Sequence, residues 1–205
     1  MKAHRRPRKA AAVSPASRRP RLRDRWLGWI SSRRVVLLFA AKFVAFLAVL
    51  HVLALAPWFD RSLPAYLHAV ACGANWLAHL AGETSEVTGS TLRAPAFGVT
   101  VAPECSALEF VRLLTAVMLA FPASWRARAL GIALAVCWCV LLNVLRVASL
   151  LLVGIHAPSL FALAHEELWA VLLILSATLF VAAWIHWQAG ADAPTANPHD
   201  GHAAA

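Results

Sequence analysis

Three side chains of the sequence, Cys105, Arg146 and His165, are of the types that together carry out cysteine-based acyl transfer. A cysteine attacks as its thiolate, which a neighbouring cation stabilises. A nearby histidine can accept and return a proton, and an arginine can stabilise the oxyanion of a tetrahedral intermediate. The three residues lie far apart in the sequence, so the fold must bring them together for this chemistry to occur.

Long apolar runs are the elements that must position these groups. The chain of 205 residues is 60% hydrophobic, with a mean hydropathy of +0.65, whereas a soluble domain is about 45–50% apolar. A spanning helix needs about 20 largely apolar residues. Four runs meet this need: 35–56, 106–122, 129–153 and 168–187. We therefore expect an all-α polytopic membrane protein with about four spanning helices.

A fifth run, residues 64–82, has a different pattern. It carries His68, Cys72, Asn75 and His79 at spacings that place them on one face of a helix. A helix with one polar face is better suited to lying at the interface or packing against the bundle than to facing lipid. This pattern favours an amphipathic or half-inserted helix.

Basic residues predict the orientation in the membrane. Of the 19 lysines and arginines, 12 lie between Lys2 and Arg34, and such clusters stay in the cytoplasm. If residues 64–82 spanned the membrane, Arg126 and Arg128 would fall outside, which the same rule disfavours. We therefore expect residues 57–104 and 154–167 outside, with both tails inside. Cys105 then begins the second spanning helix at the outer surface.

The chain divides by composition into three parts. Residues 1–34 and 188–205 are polar tails, which we expect to be cytoplasmic and disordered. Residues 35–187 form the membrane-embedded domain. Within it, residues 83–103 contain glycine, proline, threonine and short alternating runs, which predict an outer hairpin of two short strands.

Further polar residues surround the three reactive groups. Glu109 and Arg112 follow Cys105 at four and seven residues, hence on the same helical face, and Asn143 precedes Arg146 by three. These three are candidate supporting residues. The alternative interpretation is that Glu109 and Arg112 only neutralise each other as an ion pair. Arg146 could likewise anchor a lipid phosphate or pair with Glu109.

A metal site is a rival interpretation of His156, His165, Glu166 and Glu167. The run that begins at His165 lacks the second histidine of a zincin helix. The sequence therefore predicts no metal and no other cofactor.

A disulfide between Cys72 and Cys105 is the second rival. Both residues lie on the oxidising side in the expected topology, where disulfides persist. Such a bridge would make the protein a non-catalytic membrane scaffold or partner-binding subunit.

Five segments resemble the exosortase/archaeosortase family, and most of all its short exosortase H type. The resemblance covers about residues 84–187 and depends on the order and spacing of the cysteine, the N-x-x-R motif and the histidine. Its segments are Thr88–Leu92, Pro103–Glu109, Leu119–Arg126, Leu142–Leu150 and Phe161–His165.

The resemblance implies a membrane-embedded cysteine transpeptidase or peptidase. Its substrates would be exported proteins that carry a C-terminal sorting signal made of a short motif, a transmembrane helix and a basic cluster. Cys105 would be the nucleophile, with Arg146 and His165 as its partners, on the periplasmic side of a bacterial inner membrane. Membrane lipids are the other expected partners, nucleic acid is not expected, and the sequence carries no signal for an oligomeric state.

One position departs from the family pattern. Ala107 stands where the family usually has glycine, two residues after the cysteine. We expect its methyl group to narrow the space for a substrate backbone.

Overall fold

The computed structural model describes residues 33–191. The predictions for the two tails therefore lie outside the described residues, apart from a few positions at the helix ends. The chain divides into two units at Leu38. The described part of the first unit is only the start of a helix, and the sheet and the other helices lie in the second.

Helices make up most of the described chain. The five α-helices are α1 (Arg34–Ala54), α2 (Pro57–Leu80), α3 (Leu108–Ala120), α4 (Trp125–His156) and α5 (Trp169–Ala191). A 3₁₀ turn over Pro103–Cys105 precedes α3, and another over Pro158–Leu160 follows α4. A π-helix over Leu163–Leu168 leads into α5. Because α5 continues to Ala191, its last residues overlap the predicted C-terminal tail.

Three helices of the described residues are long and apolar enough to cross a membrane. They are Arg34–Ala54, Trp125–His156 and Leu163–Gln188, the last combining the π-helix with α5. The chain is therefore a multi-pass membrane protein.

The expected spanning helix over residues 106–122 is shorter than predicted. Its helix, α3, has 13 residues and is about 20 Å long, whereas the hydrocarbon core is about 30 Å thick. The helix starts only after Ala107, whose left-handed backbone (φ 57°) interrupts it. It ends at the residues before Pro122, since a residue preceding proline avoids helical geometry. A count of four spanning helices is therefore not confirmed.

The polar face of α2 packs against the loops of a small sheet, a contact that its sequence pattern did not predict. His68 Nδ1 lies 2.7 Å from the Gly89 carbonyl oxygen. The Ser85 hydroxyl donates to Asn75 Oδ1 at 2.7 Å, and His79 Nε2 lies 2.9 Å from the Ser85 carbonyl oxygen. The opposite face of α2 is apolar and packs on α4, so α2 joins the sheet to the bundle.

The outer segment forms three strands rather than a two-stranded hairpin. They are β1 (Glu86–Thr88), β2 (Thr91–Arg93) and β3 (Gly98–Thr100), all antiparallel in the order β1-β2-β3. Leu92 of the central strand is fully buried. The extra strand β1 turns into β2 at Gly89, whose φ of 61° suits glycine.

Separate apolar clusters pack along α4. The half of α4 nearer its C-terminus packs with α2 and the sheet through Val147, Ala148 and Leu151. The half nearer its N-terminus packs with α3 and α5 through Ala135 and Cys139. A Cβ atom at Gly131 of α4 would lie 2.7 Å from Met118 Sδ, so only glycine permits this close approach of the helices. The same helix, packed on both of these clusters, carries Arg146.

Candidate active site

Cys105 lies in the 3₁₀ turn before α3, not in the first turn of a spanning helix as expected. The turn is fixed from both sides. The Ser106 hydroxyl donates to the Pro103 carbonyl oxygen at 2.5 Å, and the Tyr66 hydroxyl donates to the Ser106 carbonyl oxygen at 2.7 Å. Tyr66 belongs to α2, so the second helix holds the loop that presents the thiol.

Ala107 links this loop to α3 in the left-handed region, with φ 57° and ψ 6°. A residue other than glycine in that conformation costs roughly 1–2 kcal/mol. Ala107 is buried, with 6% of its surface exposed, and it does not line the cavity around Cys105. Its methyl group therefore does not narrow this cavity, and the left-handed backbone conformation gives a physical reason why glycine suits this position.

His165 faces Cys105 from the π-helix. Its Nε2 atom lies 3.6 Å from Cys105 Sγ, within hydrogen-bonding distance of sulfur. The imidazole stacks on Phe161, with ring centroids 5.8 Å apart and planes at 12°. Phe161 in turn packs against Phe97, with centroids 5.0 Å apart. A row of aromatic rings thus fixes the orientation of His165.

Phe97 sits directly on the helix surface at Gly154. A Cβ atom at Gly154 would lie 2.7 Å from Phe97 Cγ and nearer still to two other ring atoms. Glycine at this position therefore allows the ring to reach α4.

Arg146 reaches the same cavity from α4. The helix continues to His156, so Arg146 lies about 15 Å from its C-terminal end, farther than expected from an end near Leu152. The Ser149 hydroxyl donates to the Arg146 carbonyl oxygen at 2.9 Å and accepts from Trp169 Nε1 at 3.0 Å. These bonds tie the start of α5 to the turn of α4 that carries the guanidinium.

The Arg146 side chain has unused hydrogen-bonding capacity. Its Nε atom is buried without a hydrogen-bond partner, and none of the ion pairs among residues 33–191 includes Arg146. A cation that no carboxylate neutralises is available to a developing negative charge. The alternative in which Arg146 pairs with Glu109 is contradicted, because Glu109 pairs with Arg112 instead.

The cavity between these side chains has a volume of about 200 Å³. It joins the thiol, the imidazole and the guanidinium to apolar walls and to strand β3. Its lining residues are Phe97, Gly98, Val99, Thr100, Val101, Cys105, Arg146, Val147, Leu150, Phe161 and His165. The cavity thus places a thiol, an imidazole and a guanidinium around one small space, and groups of these types can attack a carbonyl carbon, carry a proton and stabilise an oxyanion.

The three supporting residues do not line this cavity. Glu109 and Arg112 form an ion pair with each other, and the Glu109 side chain is 72% exposed. Asn143 is fully buried in α4, and neither of its amide atoms completes a hydrogen bond. Burial raises the pKa of the Tyr66 phenol, and the Asn143 amide partly offsets this effect. Asn143 therefore lies below the site, beside the tyrosine that holds the Cys105 loop.

The rival metal site lacks its ligand arrangement in the described residues. Within 33–191, no group of three histidine, cysteine, aspartate or glutamate side chains could hold a metal ion. His156 instead contacts Glu83, with Nε2 2.9 Å from Oε1.

The rival disulfide is not formed. Cys72 and Cys105 are both free thiols. Cys72 Sγ lies 3.5 Å from His68 Nε2 on its own helix, while Cys105 faces His165. The scaffold interpretation therefore loses the bridge on which it depended.

A larger cleft lies apart from these groups, next to strands β1 and β2. It has a volume of about 1100 Å³ and includes His79, Glu83, Glu86 and Arg93 among its lining residues. It contains no cysteine, so the cysteine chemistry considered above belongs to the smaller cavity.

Sequence reasoning did not identify the residues that hold the reactive groups in place. Tyr66, Ser149 and Trp169 donate or accept the hydrogen bonds that fix the Cys105 loop and the Arg146 turn. The signal available for Ser149 was its position three residues after Arg146, on the same helical face. No pattern in the sequence distinguishes Tyr66.

A comparison with known protein families identifies the family of this chain. The family model described as transmembrane exosortase matches residues 25–183, which is most of the sequence. The chain belongs to the transmembrane exosortase family. Comparison with curated proteins and with solved structures gives no significant match. Membership of the exosortase family supports a membrane transpeptidase-like role in general terms. The matched range includes all three residues that surround the cavity.

Proposed function

We propose that this exosortase is a membrane-embedded cysteine transpeptidase or peptidase, with Cys105 as nucleophile, His165 as proton carrier and Arg146 as oxyanion-stabilising cation. Its substrates are exported proteins with a C-terminal sorting signal composed of a motif, a transmembrane helix and a basic cluster. The observation that carries the proposal is the 3.6 Å approach of Cys105 Sγ to His165 Nε2, in a cavity that Arg146 also lines.

The first step is acylation of the thiol. His165 takes the proton of the Cys105 thiol, the thiolate attacks the scissile carbonyl carbon, and the carbonyl oxygen becomes an oxyanion that faces Arg146. When the tetrahedral intermediate collapses, the C–N bond breaks, and His165 donates a proton to the leaving amine. The products are a thioester on Cys105 and the released helix with its basic tail.

The second step resolves the thioester. An acceptor amine, or water, attacks the thioester carbonyl while His165 removes its proton. The thiolate then leaves, and the enzyme returns to its starting state. Amine attack gives transpeptidation and water gives hydrolysis, so both outcomes use the same three residues.

Location in the membrane follows from the expected topology. We propose a bacterial inner membrane with the cavity at the periplasmic face, where exported proteins pass. The polar connections of the sheet lie at the same end of α4 as the cavity, which suits a site open to water.

Substitution of the cysteines tests this function. The substrate is an exported reporter fused to the C-terminal segment of a protein from the same genome that ends in a motif, an apolar helix and an arginine cluster. Cys105→Ser should leave the reporter uncleaved while the abundance of the enzyme stays at the wild-type level. Immunoblotting of reporter and enzyme measures both.

Cys72→Ser is the matched control, because Cys72 is a free thiol with a histidine neighbour but lies outside the cavity. It should process the reporter at the wild-type rate. Equal loss of processing in both variants would contradict the proposal and would favour a structural role for the two thiols.

A further inference from the structure

Strand β3 is an edge of the sheet in the described chain, since β2 pairs with it on one side only. Alternate residues of β3 and of the positions on either side of it form the backbone hydrogen bonds to β2. Val101 N donates to Ser90 O at 2.9 Å, and Ala94 N donates to Phe97 O at 2.8 Å. By the alternation of antiparallel pairs, the N–H and C=O groups of Gly98 and Thr100 point away from the sheet.

This free edge borders the cavity of Cys105. All residues from Phe97 to Val101 line the cavity, and Gly98 can do so only through its backbone because it has no side chain. The outward amides of Gly98 and Thr100 therefore lie beside the space where the thiol, the imidazole and the guanidinium meet.

The dimensions fit an extended peptide. Five residues of strand span about 13 Å between their first and last Cα atoms. The cavity of about 200 Å³ holds a residue or two rather than a folded module. An unpaired strand edge is a ready template for another strand, and main-chain hydrogen bonds then hold the added segment.

We propose that the segment of the exported substrate around its scissile bond adds to β3 as a fourth strand. The amides of Gly98 and Thr100 hydrogen-bond to its main chain, and this pairing aligns the scissile carbonyl with Cys105. The inference rests on the proposed function and identifies where the substrate backbone binds. It also explains how a small cavity can recognise a segment longer than the residues it encloses.

Proline substitution tests the edge without removing a hydrogen bond of the sheet. Gly98→Pro deletes an outward N–H and removes no hydrogen bond of the sheet, and proline is tolerated on edge strands. Gly98→Ala keeps the N–H, and its Cβ atom would approach the nearest atom, Leu92 O, at 3.6 Å. The ratio of processing rates between the two variants isolates the amide.

One backbone hydrogen bond changes a rate by about 2- to 12-fold. We expect kcat/KM for the sorting-signal reporter to be lower by this factor in Gly98→Pro than in Gly98→Ala. The matched control is Val87 of β1. Its N–H group points away from β2, toward the opposite edge of the sheet, because its partner Leu92 directs its own backbone hydrogen bonds to β3. Val87→Pro and Val87→Ala should process the reporter at equal rates.

A crosslinking scan gives independent evidence. Thr100→Cys is introduced into an otherwise cysteine-free enzyme, and single cysteines are placed at successive positions of the reporter around its cleavage site. Under mild oxidation, a paired strand should crosslink from alternate reporter positions, since side chains alternate with a period of two. This measurement remains valid if a proline variant fails to fold.

Three results would overturn the inference. They are equal rates for the proline and alanine variants at Gly98, crosslinks with a helical period or none, and crosslinks between two copies of the enzyme, which would make another chain the occupant of the edge. Continued processing by Cys105→Ser would instead reject the proposed function itself, so the two failures are distinguishable.

Discussion

Replacement of Gly154 by alanine should disturb the site through the aromatic row. The new Cβ atom would lie 2.7 Å from Phe97 Cγ, so the ring must move by the order of 1 Å. Such overpacking costs about 1–3 kcal/mol, and the better helix propensity of alanine returns up to about 1 kcal/mol. Subtracting this gain in full leaves a net loss of up to about 2 kcal/mol, which lowers Tm by up to roughly 8 °C for a chain of this size.

The assay for this prediction is thermal unfolding of the purified protein in detergent, followed by tryptophan fluorescence. Gly73→Ala is the matched control, because its Cβ atom would lie 3.2 Å from two methyl carbons of Val144, a milder contact that those methyl groups can relieve. Its Tm should stay close to that of the wild type. Gly154→Ala should also slow processing of the reporter, since Phe97 contacts Phe161 and Phe161 orients the histidine.

A double variant provides the decisive measurement. Phe97→Leu removes ring atoms from the position of the new methyl group, so the combined variant should be less destabilised than the sum of the single variants. Neighbours of this kind couple by about 0.5–3 kcal/mol. Strict additivity of the two effects would refute the reasoning, because it would mean that the methyl group and the ring do not meet.

Three further predictions concern the cation, the loop and the topology. Arg146→Lys should retain little processing of the reporter and Arg146→Ala essentially none, because lysine keeps the charge but loses the planar set of donors; near-normal activity of the lysine variant would favour lipid anchoring. Tyr66→Phe removes the hydroxyl that holds the loop of the nucleophile, so kcat should fall by about 2- to 12-fold, with no fall if the loop is rigid without it. Cysteines placed at Ser90 and Ser159 in a background without native thiols should react with an impermeant maleimide in intact cells, and one at Ser124 only after permeabilisation; the reverse pattern would contradict the expected orientation.

The meeting of Cys105, Arg146 and His165 could be anticipated because all three were placed at one end of the bundle by charge and hydropathy. The structure brings their side chains together around one cavity. The pattern could not place Cys105 in a 3₁₀ turn, because the break depends on the backbone of Ala107, whose left-handed conformation is unusual for alanine.

The length of α3 was overestimated for the same reason. Hydropathy counts apolar residues from 106 onward, but it does not register where the backbone can begin a helix. The helix that carries the polar face of α2 was predicted, because four polar side chains at helical spacing are a strong signal, but its contact with the sheet was not. The third strand was missed, since a run of three residues such as Glu86–Thr88 carries too little alternation to be recognised.

The π-helix over Leu163–Leu168 has a consequence for the angular phase of the last spanning segment. A π-helix has wider turns than an α-helix and acts like one residue inserted into it. One residue of an α-helix corresponds to about 100° of rotation about the helix axis, so the insertion rotates the residues before it relative to α5. Trp169 is anchored by its bond to Ser149, so the insertion sets the direction in which His165 points. Deletion of a single residue here would turn the histidine away from the thiol while the chain kept every reactive group. The number of residues between histidine and tryptophan is thus as much a part of the site as their identities.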